Sequence, residues 1–474
     1  MKPKLWLGAL PLALGLSACN FAPRYQRPAT NVASSYQDAH ATPANAAWQI
    51  AAPNDTAPRG DWWKLFNDPG LNALEARVES ANQDIAAAVA RYDEARAAVH
   101  SARAAELPNV TANAGFTRNQ TSKTTANVFP NNPYNNTIIG ADFTYELDLW
   151  GRVRNSVAQA RATAAASAAD LATMDLDSHA ELAADYFTLR GDDSAIDVLD
   201  QTIAADRKAL EIVQNRYNGG DATEGDLDQS QAALASAQTL DADEHLQRAA
   251  MEHAIAILVG ASAAQFTIAS MPLAVSTAIP AIDPGVPADL LQRRPDVAAA
   301  ERRVIAANAN IGVARAAYFP TISLGAMLGG QSASVADLFN TPSRIWSLGP
   351  AALQPLFDGG AINAANATAR AQRDEAIANY RGSVLGALRD VEDNLVAQQQ
   401  LAEEQTTAAA AAKAEDQALS QAQNLYHAGA NTYLDVLIPQ TSALQARLAL
   451  TTIEARRYQT SVQLIKALGG GWKS

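Results

Sequence analysis

The pattern of apolar and polar positions switches period along the chain and then repeats the switch. Asp68-Pro69 is a helix start, with Pro at the first helical position, and Leu71 to Ala105 is predicted as helix, stopped by Pro108. The period then becomes two. Apolar residues fall at Val110, Ala112, Ala114 and Phe116, with polar or small ones between them. Ile139, Ala141, Phe143, Tyr145, Leu147 and Leu149 alternate with Gly140, Asp142, Thr144, Glu146 and Asp148. These are strands of roughly ten residues with one apolar face, the length of a tilted membrane-spanning strand. A strand in a soluble sandwich has the same pattern. From Trp150-Gly151 the pattern is helical to about Tyr217, with an interruption expected at Gly191-Asp192-Asp193-Ser194, and a further helix runs to about Gly260.

The chain is duplicated. Gly151 and Gly360, Tyr217 and Tyr426, and Gly260 and Gly469 each stand 209 positions apart. In the second copy Ile322, Leu324, Ala326 and Leu328 alternate, whereas the stretch from about Arg344 to Phe357 alternates poorly and contains Pro350 and Pro355. Leu437, Thr441, Leu444, Leu448, Thr451, Ala455, Tyr458, Val462 and Ile465 step by four and three, the spacing of coiled-coil packing. The predicted organisation is a leader over 1–18 and an extended segment over 19–60. A first repeat covers 61–260, with a hairpin at 109–149 and long helices at 150–260. A Pro- and Ala-rich linker covers 261–288. A second repeat covers 289–470, with a hairpin at 321–357 and helices at 360–468, before a short tail at 471–474.

The leader has Lys2 and Lys4 before an apolar run, Leu5 to Leu16, too short to span a bilayer. Leu16-Ser17-Ala18-Cys19 follows, and Cys19 is the only cysteine. No disulfide framework is possible, so packing must supply the stability. The segment resembles the lipobox of bacterial lipoproteins, which implies cleavage before Cys19 and acylation of it. Asn20 stands where an aspartate would signal inner-membrane retention. A formal net charge of −13 argues against nucleic acid as a partner.

Four strands cannot close a membrane barrel, which needs about eight, and open sheet edges are prohibitive in lipid. Membrane-spanning strands therefore require several chains to share one barrel. Three chains supply twelve strands around a lumen. Asn113, Asp142, Glu146 and Asp148 would line the water, and the long helices would form a cylinder beneath.

Leu291-Gln292-Arg293-Arg294-Pro295-Asp296-Val297, Ala299-Ala300-Glu301 and Ala317-Tyr318-Phe319-Pro320-Thr321-Ile322 closely resemble the TolC-like outer-membrane factors. Pro23-Arg24-Tyr25-Gln26-Arg27-Pro28 and Pro355-Leu356-Phe357-Asp358-Gly359-Gly360 narrow the resemblance to the lipoprotein branch of NodT or OprM type. It covers essentially the whole mature chain. The implied fold is mainly α with β: a trimeric, twelve-stranded outer-membrane β-barrel continuous with a long α-helical, coiled-coil periplasmic barrel. The implied role is the passive exit duct of a tripartite efflux system. Its partners would be a periplasmic adaptor, an inner-membrane transporter and outer-membrane lipids, with small molecules or drugs as cargo. Type I protein secretion is an alternative within transport. A structural periplasmic coiled-coil lipoprotein is the alternative from a different class.

The paired turns at Tyr217-Asn218-Gly219-Gly220 and Tyr426-His427-Ala428-Gly429 carry the candidate site. Thr223-x-x-Asp226 and Thr432-x-x-Asp435 are capping boxes, which accounts for both aspartates as helix starters. The resemblance implies a second role for Asp226 and Asp435, as a carboxylate ring at a periplasmic constriction. Tyr426 matches a gate tyrosine of the family, with Tyr217 as its counterpart, and a packed helix-end aromatic is the alternative for both. Asn431 stands where some members carry an arginine, which implies a hydrogen-bonded latch weaker than a salt bridge. Arg293, Arg294 and Asp296 are expected to be structural. Enzymatic motifs are absent: the six histidines are scattered, and there is no phosphate-cradling loop or nucleophile elbow. No cofactor is expected beyond a covalent lipid on Cys19.

Overall fold

The computed structural model describes residues 20–30, 60–122, 124, 133–273, 279–280, 282 and 293–470. Cys19, most of the segment 19–60, much of the linker 261–288 and the tail 471–474 lie outside the described residues. The chain divides into two compact units. The first gathers Met1–Ala29, Arg91–Ala168 and Ala299–Gly382, and the second Thr30–Ala90, Ala169–Ala298 and Ser383–Ser474.

The first unit holds one antiparallel sheet in the order β1-β2-β3-β4: β1 (Asn109–Asn119), β2 (Tyr134–Glu146), β3 (Thr321–Ser332) and β4 (Arg344–Leu353). The register pairs Val110 with Phe143, Phe143 with Ala326, and Ala326 with Leu348. With side chains alternating, one face is therefore apolar across all four strands. The other carries Thr111, Asn113, Asp142, Thr144, Glu146, Ser323 and Ser347, with the Asn113 amide donating to Asp142. The apolar face is uncovered: Val110, Leu328, Trp346 and Leu348 are each more than 60% exposed. The poor alternation expected of the fourth strand is corrected by its end at Leu353. Within it Trp346, Leu348, Pro350 and Ala352 share the apolar face, and the pairing with β3 runs on through Pro350, opposite Leu324.

The hairpins are also shorter than the expected bounds of 149 and 357, because two aspartates start helices instead. Asp148 accepts from the N–H groups of Val153 (3.0 Å) and Arg154 (2.9 Å). Asp358 accepts from those of Gly360 (2.8 Å) and Ile362 (2.7 Å), which hold its carboxyl below the usual range. Asp148 thus lies past the strand end, not on the polar face where it was expected.

Residues 20–30 run without regular structure along this unit. Phe21 stacks on Phe319 at 4.5 Å, and Trp150 completes the cluster, 5.0 Å from Phe319 and 6.4 Å from Phe21. Tyr25 Oη (3.0 Å) and Arg27 Nε (3.0 Å) both donate to Glu301, which is 7% exposed. A buried carboxylate is stable here because charged and hydroxyl donors satisfy it.

The helices are α1 (Pro69–Ala81), α2 (Gln83–Ala104), α3 (Arg152–Gly219), α4 (Glu224–Leu258), α5 (Pro295–Ala316), α6 (Ala361–His427) and α7 (Leu434–Ala467). The stretch expected as one helix to Ala105 is two. Asn82 leaves the helical region, its side-chain oxygen accepts from the N–H groups of Asp84 and Ile85, and its amide donates to the Leu258 carbonyl at 3.1 Å. The interruption expected at residues 191–194 is absent. α3 continues for 68 residues because the breaking groups have tertiary partners. Asp193 accepts from Arg190 (2.8 Å), Arg248 (2.6 Å), the Ser270 hydroxyl (2.8 Å) and Met271 N (3.0 Å). Ser194 Oγ donates to the Arg190 carbonyl and accepts from Leu273 N. Gly191 is there for closeness, since a Cβ would lie 2.6 Å from that of Ala455 in α7.

The core of the second unit packs Phe66, Leu71, Leu182, Phe187, Tyr458 and Val462 together. Pro295 opens α5, and Arg294 ties its start to Asp296 (2.7 Å), Asp390 (3.3 Å) and the Ala467 carbonyl (3.2 Å). Gly191→Val should lower the melting temperature, by the equivalent of about 1–3 kcal/mol for overpacking, without loss of helix content. An unchanged melt followed by circular dichroism would refute the close-packing role.

Candidate functional site

The paired turns close the long helices by the same hydrogen bonds. After α3, Gly220 N donates to the Tyr217 carbonyl (3.0 Å) and Asp221 N to that of Arg216 (2.8 Å). After α6, Gly429 N donates to Tyr426 (3.0 Å) and Ala430 N to Leu425 (2.9 Å). Gly220 (φ +84°) and Gly429 (φ +74°) take the left-handed conformation that this closure requires.

The helix starts that follow are not identical. Thr223 Oγ1 accepts from Asp226 N (3.1 Å), and Asp226 accepts from Thr223 N (3.0 Å), a complete capping box. Asp435 accepts from Thr432 N (2.9 Å) and Oγ1 (2.8 Å), which lowers its carboxyl pKa. However, α7 begins at Leu434 with Tyr433 in the N-cap position and no side-chain cap. The second box, expected whole, is half formed, because the helix starts one residue later relative to its threonine.

The tyrosines also differ. Tyr426 is 8% exposed and Tyr217 39% exposed, so only Tyr426 is a packed helix-end aromatic. Tyr426 meets Tyr433 edge to face at 5.8 Å, and both pack with Val213, Ala422 and Val436. Asn431 is half-buried in the turn. An arginine does serve this turn, from the first repeat rather than from position 431. Arg216 lies 4.3 Å from the Tyr426 ring centre and donates to the Tyr426 carbonyl at 3.1 Å, linking the two repeats of one chain. Its place in the last turn of α3 is the sequence signal for it.

Above the turns, α3, α6 and α7 line a partly open cavity of about 420 Å³. Asp206 lines it, 3% exposed, accepting from the Gln440 amide. Burial pushes its carboxyl up to about 6. A single aspartate within a long helix carries no sequence pattern, and it was not among the expected residues. Among the described residues no three His, Cys, Asp or Glu side chains form a metal-binding group, and no helix is long and apolar enough to cross a membrane.

The sequence matches the family model for outer membrane efflux protein over residues 71–261 and 286–470. The chain belongs to the outer membrane efflux protein family. It is similar to outer membrane protein OprJ of Pseudomonas aeruginosa, at 32% identity over 99% of this chain and 97% of that protein. Identity to the toluene efflux pump outer membrane protein TtgI of Pseudomonas putida is 30%, over 97% of each chain. The open-state MtrE outer membrane channel of Neisseria gonorrhoeae has the same fold, with a TM-score of 0.80 at 27% identity over 96% of this chain and 98% of that one. This efflux protein is thus an outer-membrane channel component and not an enzyme, with the TolC-like combination of long helices and a strand sheet.

Asp206 binds its proton more tightly folded, at about 6, than unfolded, at about 3.9. Its stabilising contribution is full below the unfolded value and is lost as pH rises through about 6. Asp206→Asn should therefore gain stability relative to the native chain between pH about 4 and about 7. A melting-temperature difference that does not widen over that range would contradict this.

Proposed function

We propose that three copies form one passive exit duct for small molecules. The observation that carries the reading is the sheet: four strands, one exposed apolar face, one polar face and an unpaired edge on β1 and on β4. Edge pairing between copies closes a twelve-stranded barrel with its apolar face toward lipid and Asn113, Asp142 and Glu146 toward water. Three copies also satisfy the closed symmetry usual for homo-oligomers. The helices form the periplasmic cylinder, which docks to a periplasmic adaptor and an inner-membrane transporter. The toluene pump named for one relative supports small apolar solutes as cargo. The apolar strand face disfavours a structural coiled-coil lipoprotein.

The paired turns form the periplasmic mouth, with Asp226 and Asp435 as a carboxylate ring and Tyr217, Tyr426 and Asn431 around it. Both aspartates also start helices, so a gate role must be read from conduction and not from folding. In planar bilayers, Asp226→Ala combined with Asp435→Ala should raise closed-state conductance and reduce cation selectivity. Unchanged conductance and selectivity would eliminate the gate role.

Cys19 carries the lipid. Its neighbour Asn20 precedes Phe21, which stacks on Phe319 two residues before the first residue of β3. Mass spectrometry of the mature N-terminus should find Cys19 acylated; a free thiol there would remove the anchor.

A further inference from the structure

The cavity between α3, α6 and α7 holds a buried carboxylate that no cation among the described residues pairs. Asp206 is 3% exposed and takes one hydrogen bond, from the neutral Gln440 amide. Arg447 also lines the cavity, but its guanidinium is held by Asp416, at 2.8 Å from Nε and 2.6 Å from Nη2. Lys208 and His427 are on the lining as well, but neither is hydrogen-bonded or ion-paired to Asp206, whose one side-chain partner among the described residues is Gln440. An ionised carboxylate left in this state is costly unless a cation joins it.

The rest of the wall is suited to a hydrophobic guest. Ile212, Leu419, Tyr426, Tyr433, Val436 and Leu444 line it. Its volume, about 420 Å³, falls in the range of small-molecule sites. A hydrated metal ion would leave this apolar wall unused, and the described residues form no metal-binding group. A hydrophobic ammonium ion satisfies both parts, with its charge at Asp206 and its body against the aromatic and aliphatic wall.

We propose that this cavity is a binding site for a small aromatic ammonium ion, with Asp206 as its counter-charge. The site is separate from the mouth aspartates and does not depend on their gating. It gives the channel a place where an organic cation can act on the link between its two repeats, since Tyr426 belongs both to the cavity wall and to the Arg216 contact.

The test uses the full-length protein in detergent, with benzyltrimethylammonium as probe and neopentylbenzene, its uncharged analogue of the same shape, as control. Calorimetry and thermal shift should show saturable binding of the cation, one per chain, and a raised melting temperature, with neither from the neutral compound. Asp206→Asn keeps the acceptor for Gln440 and should weaken binding at least about tenfold. Leu444→Trp fills the cavity while leaving the carboxylate in place and should abolish binding as well. The Asp226→Ala, Asp435→Ala double variant should bind as the native chain does, which separates this site from the mouth. Absence of saturable binding, equal binding of the neutral analogue, or undiminished binding in either cavity variant would overturn the proposal. So would loss of binding in the mouth variant alone.

Discussion

A backbone N–H or C=O left unpaired in hydrocarbon is unfavourable by several kcal/mol, and that constraint governs the rest of this molecule. β1 and β4 each have a partner on one side within the chain. The apolar face that would suit lipid is continuous across all four strands, so the sheet belongs in a membrane only if its edges are paired by other copies. The same sheet in water would expose Trp346, Leu348, Leu328 and Val110 together. Lipid on one face, water on the other and a neighbouring copy at each edge remove both penalties.

The joint between strands and helices follows from that requirement, because each strand end must turn into a helix without leaving polar groups bare. Asp148 and Asp358 do this at corresponding places in the two repeats, each accepting from backbone N–H groups at a helix start. The segment at 20–30 covers the same region, with Phe21 in the aromatic cluster and Glu301 holding Tyr25 and Arg27. The family-like stretches around Phe319-Pro320 and Phe357-Asp358-Gly359-Gly360 therefore have local structural reasons. Trp150 Nε1 donates to the Pro320 carbonyl at 2.7 Å, and Asp358 caps the helix that follows it.

Much of this was legible in the sequence because periodicity and turn chemistry are local. Alternation marked the strands, and the 209-residue register marked equivalent helix ends. What was not legible depended on partners far along the chain. Gly191-Asp192-Asp193-Ser194 reads as a break until Arg248, Ser270 and Ala455 are brought beside it. Asn82 is an ordinary helical residue until Leu258 accepts its amide. At the turns, equal spacing suggested equal roles, yet burial separates Tyr426 from Tyr217. Asp206 has no motif and Arg216 only its place in the last turn of α3, and the packing of α3 against α6 and α7 supplies their partners.

Edge-to-edge pairing of identical sheets is the central claim, and a disulfide between copies tests it most directly. Thr111→Cys in β1 is combined in turn with Ser347→Cys, Gly349→Cys or Ala351→Cys in β4, all on the polar face. Oxidation in isolated outer membranes should give a covalent trimer for at least one pairing and none for either single variant. Monomers alone from every pairing, or a ladder extending beyond three copies, would contradict the closed three-copy barrel.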